Sequence, residues 1–324
     1  MINKKVASLA ACALLLALGF SAEAQQANKV PRIGYIGTES RNPNFEAFRR
    51  GLRDLGYVEG KSILIEHRAV EGKVDRIPSF VAELIQFKVD VLVSSISSAI
   101  RAAKQATKAI PIVMITTQDA VAAGFVDSLA HPGGNVTGVT RFTRELGGKR
   151  LELLTEVVPR ISRVGVLGIA NPSDPPARYY EAAAAALKVQ LQSLEVRDTN
   201  PDLEAAFRDA AKERVNALIT VTTPLFVRQA KQIIDLTMKN RLPSMFEASG
   251  YTEAGGLMSY SSNDVETYRR AAVYVDKILK GTKPADLPVE QPTKFEFIIN
   301  LKTAKQIGIT IPPTVLARAD KVIR

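Results

Sequence analysis

An α/β fold of two doubly wound parallel-sheet lobes is predicted by three features of the chain. Short β-branched, apolar runs alternate with amphipathic helical stretches along most of its length. The strands are separated by helices rather than by hairpin turns, and parallel neighbours need such crossovers. The 324-residue length suits two such units, and the order of elements starts again after about residue 140.

The stretch 89–103 shows the repeating unit most plainly. Val89-Asp90-Val91-Leu92-Val93 reads as a strand buried on both faces, and Ser94-Ser95-Ile96-Ser97-Ser98 leads directly into an alanine-rich helix. Ser97 is the expected N-cap, and the corner joins hydroxyls, free amides and the positive helix end, a setting that attracts anions.

Before this corner, Ile33-Gly34-Tyr35-Ile36 forms a strand within 31–37. Residues 44–55 form a helix with Phe45, Phe48, Leu52 and Leu55 on one stripe, and Gly56 is its stop. Residues 62–67 alternate as a second strand, and 74–87 read as a helix with Ile77, Val81, Leu84 and Ile85 inward. After the corner come a strand over 110–115, a short helix over 124–129, a turn at His131-Pro132-Gly133-Gly134-Asn135 and a strand over 136–139.

The second series follows the same grammar. Helices are expected over 148–158, 179–187, 201–212 and 224–238, with Pro224 acceptable in a first turn. Strands are expected over 164–167, 190–196, 217–221, 243–246 and 256–260. A long helix over 264–279 ends at Lys280-Gly281, the segment 286–292 is extended, 295–299 is a last strand, and 301–307 and the stretch after Pro312-Pro313 are helical. The tail is expected to cross back between lobes. The first lobe is therefore assigned residues 29–140 and about 264–292, and the second 141–263 and about 293–324.

Residues 1–24 read as a signal peptide: Lys4 and Lys5 open it, 6–20 is apolar but short for a membrane span, and Ala22-Glu23-Ala24 fits a cleavage site. Cys12, the chain's one cysteine, falls in the apolar core of that leader, so the exported remainder lacks thiol chemistry and suits an oxidising compartment. The net charge of +10 is dispersed, with no long Lys/Arg block and no nucleic-acid module, so no nucleic-acid partner is expected.

Catalytic chemistry is sparse. His67 and His131 are the two histidines and neither has a triad-like neighbourhood. No His/Asp/Glu cluster has metal spacing, so no metal or cofactor is expected. Gly60-Lys61-Ser62 follows Gly56 too closely for a phosphate-binding loop and lies between helix and strand in the wrong order. The chain reads as a binding protein rather than an enzyme.

Open parallel sheets bind ligands beyond the carboxyl ends of their strands. That rule selects Thr38, Glu39, Ser95, Ser97, Ser98, Thr117 and Asp119 in the first lobe, and Asn171, Thr223, Phe246, Glu247 and Tyr260 in the second. These groups suit a zwitterion. A carboxylate would sit on Ser97, Ser98 and the helix amides, and an ammonium would pair with Asp119 or Glu247. Each has a structural alternative: a cap at Ser97, a turn residue at Asn171, solvated loop carboxylates at Asp119 and Glu247, core aromatics at Phe246 and Tyr260.

Several motifs carry a family resemblance. Phe48-Arg49-Arg50-Gly51-Leu52-Arg53-Asp54-Leu55-Gly56-Tyr57-Val58-Glu59-Gly60, His131-Pro132-Gly133-Gly134-Asn135-Val136-Thr137-Gly138 and Gly148-Lys149-Arg150-Leu151-Glu152-Leu153-Leu154 resemble segments of an ABC transporter substrate-binding protein family. So do Glu253-Ala254-Gly255-Gly256-Leu257-Met258-Ser259-Tyr260 and the stretch through Gln291-Pro292-Thr293-Lys294-Phe295. The family includes tryptophan- and tyrosine-type binders and has the type I periplasmic binding protein fold. The resemblance implies capture of a solute outside the inner membrane and its delivery to an inner-membrane ABC permease; the polar strand ends suit a small amino-acid-like or carboxylate ligand, and a monomer is expected. The chain departs from the family pattern at Ser95-Ile96-Ser97, at Gln118-Asp119-Ala120 and at Ser261-Ser262 after Tyr260. The alternatives are a ligand-sensing partner of a membrane receptor and an exported two-lobed enzyme.

Overall fold

The computed structural model describes residues 29–141, 146–158, 160–172, 175–197 and 201–324. The expected leader, with Lys4, Lys5, Cys12 and the 22–24 triplet, lies outside the described residues.

Two sheets organise the chain. The first is wholly parallel, in the order β2-β1-β3-β4-β5, from β1 (Arg32–Gly37), β2 (Leu64–Ala69), β3 (Val91–Ser94), β4 (Ile112–Thr116) and β5 (Val136–Thr140). The second contains β6 (Arg163–Ile169), β7 (Gln190–Val196), β8 (Ala217–Thr220), β9 (Ser244–Phe246), β10 (Met258–Ser262), β11 (Phe295–Asn300) and β12 (Lys321–Ile323). Its order is β12-β11-β10-β9-β8-β6-β7, parallel except where β11 runs antiparallel to β10.

Both sheets are covered on both faces, which is why their central strands are apolar without alternation. In the first, Phe45, Phe48, Val91, Val93, Tyr268 and Val275 fill one side, and Phe80, Leu84, Leu92, Ile100 and Met114 fill the other. In the second, Leu151, Leu154, Val166, Met245 and Ile307 oppose Leu167, Phe207, Leu218, Ile233 and Phe246.

The chain passes between the sheets after Thr140, at Asn263, and between Glu290 and Phe295. The helix Asp264–Leu279 follows β10 of the second sheet yet packs on Pro43–Asp54 beside the first: Gly51 lies against Arg269 and Ala272, and Tyr57 Oη donates to Asp276 at 3.0 Å. Residues 287–290 then run along β5. Thr137 Oγ1 donates to the Leu287 carbonyl at 2.6 Å, and the Glu290 and Thr140 amides bond across the pair. The return crossing falls between Glu290 and Phe295 rather than in the tail after Pro312-Pro313. Helices Leu301–Ile307 and Pro313–Leu316 and strand β12 stay with the second sheet, because β12 pairs with β11.

Local chemistry corrects other expectations. Residues 124–129 form turns, not a helix. The Asp119 carboxylate takes the amides of Val121 and Ala122, and Gly124 at φ +69° ends the turn while Phe125 and Val126 enter the core. Ser97 is not the N-cap. The helix Ser97–Ala106 is preceded by Ile96, and Ser94 holds the corner by donating to the Ile36 carbonyl and accepting from the Ile96 amide. The helix expected over 224–238 is two, Pro224–Arg228 and Ala230–Lys239, meeting at Gln229. The start at Val74 is a 3₁₀ turn, Val74–Arg76, ahead of Ile77–Gln86. The short helix Ser249–Glu253 had no sequence signal.

Candidate functional site

On the second lobe, the loops after β6, β8 and β9 converge. Asn171, Thr223 and Glu247, three residues the carboxyl-end rule selects, line one pocket of about 140 Å³. Ile169, Pro176, Tyr179, Tyr180 and Val221 complete it. Thr223 also caps the next helix by accepting from the Phe226 amide at 3.2 Å.

Glu247 forms the polar floor and is 3% exposed. Its Oε1 accepts from Tyr180 Oη at 2.6 Å and from Arg150 Nη1 at 3.1 Å, and its Oε2 accepts from the Thr222 amide at 2.9 Å. Arg150, fully buried on the helix Gly147–Val157, also donates from Nε to the Tyr260 carbonyl at 2.8 Å. Burial and the neighbouring Glu247 charge push the Tyr180 phenol well above its ordinary range, so it stays a neutral donor. Gly147 permits the close approach that seats this helix: a Cβ there would stand 2.4 Å from the Tyr179 carbonyl oxygen.

Sequence reasoning missed Arg150, Tyr179 and Tyr180. One signal was available for Arg150. It occupies the inward stripe of Gly147, Leu151, Leu154 and Val157, and a charge on such a stripe calls for a buried partner.

On the first lobe, Ser95, Ser97 and Ser98 follow β3. Ser95 sits against the phenols of Tyr35 and Tyr268, both pushed above the usual tyrosine range chiefly by burial. Ser97 is half-buried and Ser98 exposed at a helix start whose cap position, Ile96, has no hydrogen-bonding side chain. Thr38 is half-buried and accepts from Asn42 Nδ2 at 3.1 Å; Glu39 and Thr117 are half-buried, each on its own loop. Asp119 is exposed, with Oδ1 turned onto its own loop.

Two selected aromatics are elsewhere. Phe246 is fully buried and stacks on Tyr251 with centroids 4.8 Å apart, because successive strand residues face opposite ways and Glu247 takes the pocket side. The Tyr260 ring is half-buried beside Phe295 and Phe297, and only its carbonyl reaches the Arg150 network.

The crossing segments are tied together. Arg141 Nη2 lies 2.5 Å from both Asp264 carboxylate oxygens, Ser262 Oγ donates to the Arg141 carbonyl at 3.0 Å, and Asn263 caps the helix Asp264–Leu279 while its Nδ2 donates to Glu296. Across the two sheets' facing loops, Gly72 of the first lobe stands close to the Arg228 guanidinium of the second.

His67 packs in an aromatic box on the first lobe, its ring 4.2 Å from that of Phe45 and 5.3 Å from that of Tyr35, with Nε2 buried and without a partner. Burial, then the charges of Arg68 and Arg49, hold its pKa below the ordinary value. The folded state therefore resists protonation. The contribution of this residue is complete above the unfolded histidine value of about 6.5 and is lost as pH falls through the lower folded value. Urea midpoints measured at pH 7.5 and 5.5 are expected to fall more for the native chain than for His67→Phe. Equal falls would show that His67 is free to titrate in the folded state.

Comparison with known proteins adds an independent line. Residues 29–323 match the family model described as ABC transporter substrate binding protein. The tyrosine-binding protein of Clostridioides difficile (strain R20291) is 25% identical over 276 residues, covering 82% of this chain and 76% of that protein. The crystal structure of a conserved domain protein from Vibrio cholerae matches with a TM-score of 0.80 at 27% identity, covering 91% of this chain and all of that one. The structure of an ABC domain from Streptococcus pneumonia in complex with L-Trp matches with a TM-score of 0.82 at 25% identity, over 90% of this chain and 99% of that one.

Proposed function

Because this chain belongs to the family of ABC transporter substrate binding proteins, which bind ligands rather than transform them, we propose that it captures an aromatic amino-acid-like solute between its two lobes and delivers it to an ABC permease. The observation that carries this reading is the pocket of Asn171, Thr223 and Glu247 at the carboxyl edge of the second sheet. The relatives bind tyrosine and tryptophan by their own descriptions, which supports the ligand class.

The first lobe comprises 29–140 with about 264–292, the second 141–263 with about 293–324, and the ligand's carboxylate sits at the first lobe's serine corner. There the uncapped amides of 97–99 and the hydroxyls of Ser97 and Ser98 supply donors at the positive end of a helix. The crossing segments around Arg141, Asn263 and Glu296 act as the hinge, and a ligand that touches both lobes stabilises the closed form. The leader over 1–24 exports the chain, which works outside the inner membrane as a monomer. Among the described residues no helix is long and apolar enough to cross a membrane.

Thermal unfolding with L-tyrosine, L-tryptophan, L-phenylalanine and small carboxylates tests this reading. A ligand at a hundred times its Kd stabilises the folded state by about 2.7 kcal/mol, a rise in Tm of roughly 5–10 °C for a chain with lobes of this size. No rise with any member of the panel overturns the reading.

A further inference from the structure

We propose that Glu247 is the residue that selects the ligand: the second-lobe pocket seats a single six-membered aromatic ring, and the carboxylate takes a hydrogen bond from a donor at the ring's far end. A 4-hydroxyphenyl side chain is therefore preferred to a phenyl one. This inference rests on the capture reading above and specifies its side-chain subsite.

Volume comes first. A cavity of about 150 Å³ accommodates one benzene ring, and this pocket is about 140 Å³. Ile169, Pro176, Val221 and Tyr179 give it largely apolar walls. A single ring fits this volume.

The floor supplies the selectivity. A carboxylate offers about four acceptor positions. Three are taken, two on Oε1 by Tyr180 and Arg150 and one on Oε2 by the Thr222 amide. The remaining position is on Oε2 of a side chain that lines the pocket and is almost wholly buried. A phenol O–H reaching it gains a charge-assisted bond, whereas a phenyl C–H leaves a buried acceptor unsatisfied.

The same geometry argues against Glu247 as the partner of the ligand's ammonium. Arg150 already neutralises the carboxylate at 3.1 Å. A second cation beside it would meet the guanidinium's repulsion in a buried site, while a neutral donor does not. The ammonium accordingly stays at the mouth of the pocket, toward the first lobe.

Calorimetric titration of the full chain with L-tyrosine, L-phenylalanine and O-methyl-L-tyrosine tests the inference. L-Tyrosine is expected to bind about ten- to a hundredfold more tightly than L-phenylalanine, and O-methyl-L-tyrosine no better than L-phenylalanine. Glu247→Gln is expected to weaken L-tyrosine about tenfold while leaving L-phenylalanine nearly unchanged. Val221→Phe, which fills the pocket and leaves both charges of the ion pair in place, is expected to abolish binding of both rings with the circular dichroism spectrum retained, and it serves if Glu247→Gln does not fold.

Equal affinities for L-tyrosine and L-phenylalanine overturn the inference and leave amino-acid capture standing. So does equal weakening of both ligands by Glu247→Gln, or binding of aliphatic amino acids alone. Failure of every solute to bind overturns the capture reading and this inference with it.

Discussion

Replacing Arg150 with methionine is expected to destabilise the protein by roughly 3–5 kcal/mol, because it leaves a buried carboxylate without its counter-charge. For lobes of this size the loss corresponds to a Tm lower by roughly 6–20 °C. Arg150 is fully buried and Glu247 nearly so, and water reaching Glu247 from the pocket does not supply the lost counter-charge. The Tyr260 carbonyl also loses its donor at 2.8 Å. Glu247→Leu is expected to cost a similar amount, for the mirror-image reason. The double variant Arg150→Met with Glu247→Leu is expected to be less damaged than the sum of the two, since removing both charges removes the desolvation problem. It does not return to native stability, because Tyr180 Oη and the Thr222 amide then lack their acceptor. Urea unfolding of the four proteins measures the coupling. A loss below about 1 kcal/mol in Arg150→Met would mean that solvent reaches the pair, as it does in exposed ion pairs.

Gly138→Ala is expected to be the most damaging substitution among the glycines of the first sheet. The residue lies within β5 at φ +139°, a region that side chains other than glycine's rarely enter. A Cβ there would stand 2.1 Å from the Met114 carbonyl oxygen and 2.7 Å from its amide nitrogen. Both are backbone atoms of β4 in a fully buried strand, so neither can turn aside. Backbone strain and overpacking each cost about 1–3 kcal/mol, which puts the loss at about 2–6 kcal/mol. The disturbance reaches the crossing segment as well, because the Gly138 carbonyl accepts from the Glu290 amide. Gly134→Ala is the control. Nothing lies within 4 Å of the position its Cβ would take, and the change is expected to be neutral or slightly stabilising. Denaturant midpoints for the two variants decide the matter, and equal midpoints would refute the steric account.

The parts of the fold that could be read along the chain share a physical property. Strands β1, β3, β4, β6 and β8 are buried on both faces, so each appears as a short apolar run. Helices such as Pro43–Asp54 and Asp264–Leu279 show one apolar stripe each, with Asn42 and Asn263 as caps at their starts. The misread segments lack that property. At 124–129, Phe125 and Val126 look helical, but the Asp119 carboxylate holds the backbone in a turn. At the serine corner several hydroxyls compete for one role, and it falls to Ser94 because the strand ends there and its Oγ reaches β1. The three-residue β12 follows a proline-rich tail and exists only because β11 offers an open edge.

The candidate site divides in the same way. The carboxyl-end rule selects Asn171, Thr223 and Glu247 as candidates, and the strand order of the folded sheet brings their loops to one place. Which side chains face inward was not legible in the sequence. Phe246 and Glu247 are neighbours in the chain, yet one enters the core and the other the pocket.

By itself, the amino-acid sequence determined the alternation of strand and helix, the doubly wound class and the polar character of the loops, because periodicity and capping act over a few neighbouring residues. Only the tertiary structure decided that Arg150 and Glu247, separated by 97 positions, form one buried pair, and that Tyr180 closes the same network. A buried charge finds its partner by proximity in space, and local periodicity carries no information about which distant residue that is.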